Sequence, residues 1–416
     1  MRFLLSLPAP KLLLALLAVS ANPMYALSWD DVRKAAASNS SAMKASEFDS
    51  QISAAKQDFG RNKFYPNLRA SYSKSKAIDP EPFGSSVSNR LGMTLSQNLF
   101  SGFQDMNNFD RATSSRKAAA AAKQIESIEL RATLKKQFNH ALYLQDAILL
   151  ARSALNRRAE NVRIVTLRYE GGRENKSSAL KTEAAKLSAE ADVTFYVSSL
   201  QLVKAKISQL VDLKISDSDV FDGSLILSSA LPTTVDKKNP KLTLAESELD
   251  ASLAAVKASR SGWFPELTAE ATAYKTGQDS ALDPDVRYAL GLTLSVPLFT
   301  PGQSSTYRQA ILENSKNELK LSDTKKSVDI ERMSAQVAYD DAKSRVMVAE
   351  KIVGASKMQA QVYRQRYTLG MVTFQDWDAS EADLFRVEKE SLIALRELAD
   401  AAADLAQSLG LPLEEG

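Results

Sequence analysis

The chain repeats itself, and this internal duplication constrains its fold more than any other feature. The segment Leu91–Phe100 reappears as Leu290–Phe299, 199 positions further on. Two further landmarks recur at nearly the same distance, namely Tyr65-Pro66 as Phe264-Pro265 and Arg168-Tyr169-x-x-Gly172 as Arg366-Tyr367-x-x-Gly370. A repeat of this length is much longer than the unit of a solenoid, so it predicts two similar half-structures in one chain.

The N-terminal residues have the pattern of an export signal. Arg2 and Lys11 flank a short start, and the apolar stretch Leu12–Val19 follows. Ala21 and Ala26 are the candidate cleavage positions, so a signal peptide is predicted over residues 1–26. The apolar stretch is too short for a permanent membrane-spanning helix. An amphipathic N-terminal helix is the alternative interpretation.

Composition argues against nucleic-acid binding and against catalysis. The 416 residues include 53 basic and 50 acidic side chains, which give a net charge of +3 and no strongly basic surface for a polyanion. There is no cysteine and a single histidine, His140, so the ligand clusters typical of metal sites cannot form from those residues. Neither a phosphate-binding glycine loop nor a Gly-x-Ser-x-Gly motif is present. We therefore expect a protein that is not an enzyme and has no cofactor.

Each half contains two stretches in which apolar and polar residues alternate. The alternation predicts one β-hairpin at about 66–97 and a second at about 265–296, with turn-forming residues between the strands. Strands of roughly ten residues have the length that crosses an outer membrane at a tilt. A water-soluble hairpin with one face on a core is the alternative, because the period alone does not separate the two.

Long helices follow the hairpins. Residues 104–167 contain neither proline nor glycine, and apolar positions spaced by four and three residues form a coiled-coil seam that Gln145 and Arg152 interrupt. This predicts a helix at about 104–168 and its counterpart at about 303–368, each followed by a glycine turn and a return helix, at about 178–213 and 376–409.

The predicted organisation therefore has two repeats. Residues 27–213 form the first repeat and 240–410 the second, each with a short helix, a hairpin, a long helix and a return helix. Residues 214–239 are an irregular connector, and 411–416 are a C-terminal tail.

Four membrane strands in one chain cannot form a closed barrel. Unpaired strand edges are not tolerated in lipid, where no water satisfies the backbone. Two chains would supply eight strands and three would supply twelve, and a barrel of about eight strands is filled by its own side chains. A conducting barrel therefore predicts three chains. The expected fold is a mixed α and β membrane protein, a 12-stranded trimeric β-barrel continued by a long α-helical coiled-coil barrel.

This arrangement resembles the TolC family of outer-membrane efflux and secretion channels over the whole mature chain. The resemblance is carried by the paired strand starts at Tyr65-Pro66 and Phe264-Pro265, the paired Leu-x-x-x-Leu-Phe segments at 95–100 and 294–299, and the two Tyr-x-x-Gly turns. It implies a homotrimer in the outer-membrane lipid with its helices in the periplasm. It also implies a passive exit duct for a tripartite efflux pump or a type I secretion system, opened by a periplasmic adaptor protein and an inner-membrane transporter.

The resemblance also implies functional positions at the helical tips. The adaptor would contact the two tip turns, through the residues Tyr169, Gly171, Gly172, Gly370, Met371 and Val372. Asp376 and Tyr367 would lie at the entrance constriction. Three copies of the Asp376 carboxylate near one axis would favour cations. The alternatives are that Asp376 caps a helix N-terminus and that both tyrosines only pack.

Three residues depart from the family pattern at this entrance. Ser178, Glu174 and Val372 stand where some relatives have other gate residues, so the partners of Tyr367 are left open. The cargo is left open as well. A structural coiled-coil protein of the cell envelope, with no pore, is the alternative function.

Overall fold

The computed structural model describes residues 26–77, 86–228, 239–278 and 282–413. The predicted signal peptide lies outside these residues except for Ala26. Also outside them are both hairpin tips, part of the predicted connector and the last three residues of the tail. No helix in the described ranges is long and apolar enough to span a membrane.

The chain alternates between helices and strands in the same order twice. The helices are α1 (Trp29–Asn39), α2 (Ser41–Asn62), α3 (Gln104–Glu170), α4 (Lys176–Val211), α5 (Leu225–Ser228), α6 (Pro240–Ser259), α7 (Gln303–Thr368) and α8 (Phe374–Ser408). The strands are β1 (Ala26–Leu27), β2 (Asn67–Ala77), β3 (Ser86–Ser101), β4 (Val220–Phe221), β5 (Glu266–Gln278) and β6 (Arg287–Ser295).

Two antiparallel hairpins join side by side into one four-stranded sheet in the order β2-β3-β5-β6. Asn67 lies opposite Ser96 in the first hairpin, and Glu266 lies opposite Ser295 in the second. The inner strands β3 and β5 pair with each other and so connect the two repeats.

Strand β3 continues beyond residue 97, the predicted end of the first hairpin. After a bulge between Asn98 and Phe100, β3 pairs with β5 as far as Ser101. The extension is held by β5 alone, because the pairing of β3 with β2 ends at Ser96.

The sheet has an apolar face and a polar face. Leu68 pairs with Leu95, and Ala70 pairs with Met93, on one face; Arg69 is opposite Thr94 on the other. Leu68, Met93 and Leu95 of the apolar face are exposed in the single chain, and every residue of β6 is exposed. A soluble hairpin would cover one face, and no other part of the described chain covers β2 or β6.

Helices α3 and α7 dominate the rest of the molecule. They have 67 and 66 residues, which corresponds to about 100 Å each. Helix α3 packs against α2 and α4 on one side and against α6 and α8 on the other, and α7 lies beyond α6 and α8. The helices therefore form a wall one layer thick.

The largest core lies halfway along this wall. Phe138 of α3 packs edge-on against Trp29 and Phe221, with ring centroids 5.7 and 5.5 Å away. Strand β4 pairs with β1 in parallel. The side chain of Gln145 bonds both backbone groups of Phe221, donating to the carbonyl at 3.0 Å and accepting from the N–H at 2.8 Å. Gln145, a polar residue that interrupts the apolar seam of α3, therefore attaches the connector to this helix.

Two helices precede the first hairpin, where the sequence predicted one short helix. The chain leaves the helical conformation at Ser40, which has φ −51° and ψ 129°. Asn39, Ser40 and Ser41 follow one another there, and such residues bond locally with the backbone and favour helix ends over helix interiors.

Candidate functional site

The two long helices end in turns of the same design. After α3, the N–H of Arg173 donates to the carbonyl of Arg168 at 2.8 Å; after α7, the N–H of Met371 donates to that of Arg366 at 2.8 Å. Gly172 and Gly370 have φ values of 66° and 76°. This is the geometry of a Schellman motif, which needs a left-handed residue and so favours glycine.

A polar cap starts each return helix directly after its turn. The side chain of Asn175 accepts from the N–H of Ser178 at 2.8 Å at the start of α4. Thr373 accepts from the N–H of Asp376 at 3.2 Å at the start of α8. Stop and start signals separated by two or three residues hold each helix pair in a tight hairpin.

Tyr367 is buried at the centre of an aromatic cluster at this end. It is 2% exposed. Its ring stacks on that of Trp377 at a centroid distance of 4.4 Å and meets Phe374 edge-on at 6.3 Å. Val165 of α3 completes the cluster. The cluster therefore fastens α7 and α8 to α3.

The hydroxyl of Tyr367 donates to Oε2 of Glu174 at 2.9 Å. Burial acts to raise the pKa of the Glu174 carboxyl, but the bonds from the Asn175 N–H and the Tyr367 hydroxyl outweigh it, so the pKa is lowered. Burial and the adjoining carboxylate raise the pKa of Tyr367. The pair is thus a neutral phenol bonded to a carboxylate, the arrangement in which such a bond is strongest.

Arg168 is the third member of this contact. Its guanidinium lies 4.6 Å from the centre of the Tyr367 ring and donates to the Tyr367 carbonyl at 2.8 Å. One arginine therefore binds both the ring and the backbone carbonyl of Tyr367 near the end of α7. We call Tyr367, Glu174 and Arg168 the tip triad.

Ion pairs fasten α8 to α3 next to the tip triad. Arg158 pairs with Asp378 at 2.8 Å, and Arg157 pairs with Glu388 at 2.8 Å. All four side chains are largely covered, so solvent screens these pairs less than it screens ordinary surface pairs.

Asp376 lies on the surface of the first turn of α8. One of its carboxylate oxygens accepts from the hydroxyl of Thr373 at 2.6 Å. A carboxylate in the first turn is favourable for the helix in any case. Its predicted place in a ring of carboxylates remains a prediction.

The predicted adaptor-contacting residues divide into exposed and covered ones. Met371 and its neighbour Leu369 are each 70% exposed, and Tyr169 is also exposed. Gly171, Gly172 and Gly370 lie on the surface of the turns. Val372 is partly covered because it packs against the Tyr367 cluster.

The structure brings Glu174 and Tyr367 together, although the sequence left the partners of Tyr367 open. Ser178 is buried in the first turn of α4, where both its N–H and its hydroxyl donate to Asn175. Arg168 and Trp377 were not identified as site residues from the sequence. Arg168 could have been found from the repeat, because it stands directly before Tyr169 in one copy of the motif and Arg366 stands directly before Tyr367 in the other.

No group of three or more metal-ligating His, Cys, Asp or Glu side chains occurs in the described ranges of the chain. The described tip residues offer hydrogen bonds, charged groups and exposed apolar side chains.

Comparison with known proteins agrees with this architecture. The model of a family described as outer membrane efflux protein matches residues 32–210 and 231–411. The chain is 24% identical over 294 residues to the alkaline protease secretion protein AprF of Pseudomonas aeruginosa, covering 67% of this chain and 59% of that protein. It is 21% identical over 306 residues to the toxin and drug export protein A of Aggregatibacter actinomycetemcomitans, covering 70% and 66%.

Solved structures share the fold. The CmeC outer membrane channel of Campylobacter jejuni matches with a TM-score of 0.81 at 14% identity, covering 92% of this chain and 85% of that one. The alignments with the two curated relatives span less than two thirds of the length of each.

Proposed function

The chain belongs to the outer membrane efflux protein family, and from this we propose that three copies form one channel across the outer membrane and the periplasm. Membership places the protein in the outer membrane, with its helical part in the periplasm. A closed homotrimer that serves as an exit duct is supported by the surfaces that a single chain leaves uncovered.

The first uncovered surfaces are the two outer edges of the sheet. Within the described strands, β2 pairs on one edge with β3, and β6 pairs on one edge with β5. The other edge of each strand carries backbone groups that would be unsatisfied in lipid. Head-to-tail pairing of β6 with β2 of the next copy would satisfy them, and three copies would give twelve strands.

The second uncovered surfaces are apolar stripes on the helical wall. Helix α7, at one end of the wall, exposes Ile330, Met333, Val337, Val348 and Ile352. Helices α2 and α4, at the opposite end, expose Phe48, Ile52, Phe59, Leu180, Leu187, Phe195 and Leu202. Full burial of one such side chain contributes about 1.5–3 kcal/mol. Exposed stripes of this length mark a contact surface.

Two different surfaces at opposite ends of one wall give a heterologous contact, which forms a ring when the rotation closes. The same ring would close the sheet and the helical wall together. A tube results, with the tip turns at the end away from the sheet.

The tips are suited to docking and gating. Leu369 and Met371 project from their turn and are exposed, so an adaptor protein would find apolar side chains on rigid turns there. The tip triad and the exposed Asp376 lie just behind, where they would control the entrance. The transported molecule would be chosen by the inner-membrane transporter, because the duct itself is a passive tube.

Planar-bilayer recording of the detergent-purified protein tests this proposal. The proposal predicts discrete conductance steps and extraction from membranes by detergent only. A protein that is released by buffer alone and gives no steps would contradict it, and it would support the alternative of a structural coiled-coil protein.

A further inference from the structure

The two hairpins are paired in the same register. In the first, Asn67 lies opposite Ser96; in the second, Glu266 lies opposite Ser295. Each residue of the second pair stands 199 positions after its counterpart in the first, which is the shift of the sequence repeat. Strand β5 is therefore the structural counterpart of β2, and β6 is the counterpart of β3.

The seam between the two repeats is visible within one chain, because β3 pairs with β5. Thr94 lies opposite Thr272 there, and Gly92 lies opposite Tyr274. In a ring of identical copies, the next seam joins β6 of one copy to β2 of the following one. The strands of that seam are the counterparts of the strands in the visible one.

We infer that the seam between copies has the register of the seam within the chain, so that Thr293 of one copy lies directly opposite Ser73 of the next. The inference rests on the trimeric barrel proposed above and assigns its residue contacts. The counterpart of each β3 residue lies 199 positions later, in β6, and the counterpart of each β5 residue lies 199 positions earlier, in β2. The visible pairs therefore also place Leu294 opposite Tyr72 of the next copy and Ala289 opposite Ala77.

The inferred register preserves both faces of the sheet. Leu294 and Tyr72 both belong to the apolar face, whereas Thr293 and Ser73 both belong to the polar face. A slip by one residue would place apolar side chains on the polar side of every pair. Slips by an even number of residues leave the faces intact, so a slip by two residues is the nearest competing register.

The residues that follow β6 support this register. Leu298 and Phe299 are 95% and 86% exposed, whereas the counterpart of Phe299, Phe100, lies opposite Leu267 and packs edge-on against Phe103 at 5.1 Å. In the inferred seam, Phe299 meets the exposed Leu68 of the next copy.

The bulge of the visible seam has a suitable counterpart as well. Pro297 stands at the counterpart of Asn98, where the bulge of β3 begins. Proline has no N–H to leave unpaired, and it is found at bulges and strand edges. We therefore expect β6 to extend past Ser295 in the assembled ring, as β3 extends to Ser101.

A disulfide distinguishes the two registers because its reach is short. Residues directly opposite each other on antiparallel strands have Cα atoms about 4.5–5.5 Å apart. A shift of two residues adds about 6.8 Å along the strand, which brings the separation to roughly 8 Å and beyond the limit of about 7 Å for a disulfide.

The chain has no cysteine of its own, so engineered pairs can be read without background. The test pair is Thr293→Cys with Ser73→Cys in the full-length protein, purified in detergent and mildly oxidised. The two matched controls combine Thr293→Cys with Ser71→Cys and with Ser75→Cys, serines on the same face and two residues to either side. The product is read on a non-reducing gel, and the native mass is measured in parallel.

A further variant, Thr94→Cys with Thr272→Cys, forms the visible counterpart of the test pair and shows that oxidation works at this depth of the sheet. We expect covalent trimers from the test pair and hardly any from either control. Covalent trimers from a control pair instead would overturn the register while leaving the trimer intact. A monomeric native mass, with the Thr94–Thr272 disulfide formed, would reject the proposed channel and this inference together.

Discussion

The Tyr367 hydroxyl donates a 2.9 Å hydrogen bond to Glu174, a residue 193 positions earlier in the chain. The bond joins the end of the second long helix to the turn that precedes the first return helix. Arg168 covers the same ring and binds the Tyr367 carbonyl. The helical tip of the chain is therefore held by contacts between its two repeats.

Tyr367→Phe should loosen this tip and raise the channel conductance. The substitution keeps the ring that stacks on Trp377 but removes a hydrogen bond to a charged group, which contributes about 1.5–3 kcal/mol. We expect the lower part of this range because Glu174 is only partly covered. Single-channel conductance is the measurement. Tyr169→Phe is the matched control, since it removes the same atom from the exposed counterpart tyrosine; equal conductance in the two variants would contradict the role of the bond.

Acidification should weaken the same contact. The Glu174 pKa is lowered in the folded protein, so its contribution to stability is present above the pKa of the unfolded chain and is lost as the pH falls through the folded value. An ordinary glutamate titrates at about 4.3, so this loss of stability, and the step in conductance that we expect with it, lie below about pH 4.3. Conductance recorded from pH 7 downwards should rise there in the wild type.

Two variants identify the group responsible for that step. Glu174→Gln should remove the step because the side chain no longer titrates. Asp376→Asn should keep it, because Asp376 does not contact Tyr367 among the described hydrogen bonds. A step that survives in Glu174→Gln would assign it to another group.

Asp376→Asn and Thr373→Ala separate the two possible roles of Asp376. Asparagine retains an oxygen for the Thr373 hydroxyl, so the helix start should persist while the proposed ring of negative charge is lost. Thr373→Ala removes the N-cap bond, at a cost of about 1 kcal/mol, and leaves the charge. The reversal potential in a salt gradient should shift away from cation preference in Asp376→Asn only. An unchanged reversal potential would leave Asp376 only its local role in the first turn of α8, as the acceptor from the Thr373 hydroxyl.

Gln145→Ala should release the connector from the helical wall. The change leaves the N–H and the carbonyl of Phe221 without their partner, and each unsatisfied buried group costs about 1–3 kcal/mol. Limited proteolysis should cut near β4 faster than in the wild type. Gln124→Ala, at an exposed position of the same helix, should behave as the wild type; equal protection in both would show that Gln145 is not the attachment.

Local signals in the sequence correspond closely to several structural elements. The stretch without proline or glycine is the long helix α3, because nothing in it interrupts the backbone hydrogen bonds. Gly172 and Gly370 mark the turns because their φ values are positive. The resemblance to outer-membrane channels, stated from paired motifs, is confirmed by the family match over both repeats.

Contacts between distant segments could not be predicted in this way. Gln145 was recognisable as a polar residue in an apolar seam, but its partner Phe221 lies in a connector without a regular pattern. From the sequence, Glu174 is recognisable only as a departure from the family pattern, because no residue near it in the chain points to Tyr367. Both pairings depend on how separate helices pack, which one sequence does not encode in its periodicity.

The native mass of the detergent-solubilised protein decides whether the chain completes its barrel with further copies, because one chain with two open strand edges cannot complete a barrel. We expect particles that contain three copies of the chain, with the mass unchanged on dilution in detergent. Particles that contain a single chain and remain stable in detergent would contradict it.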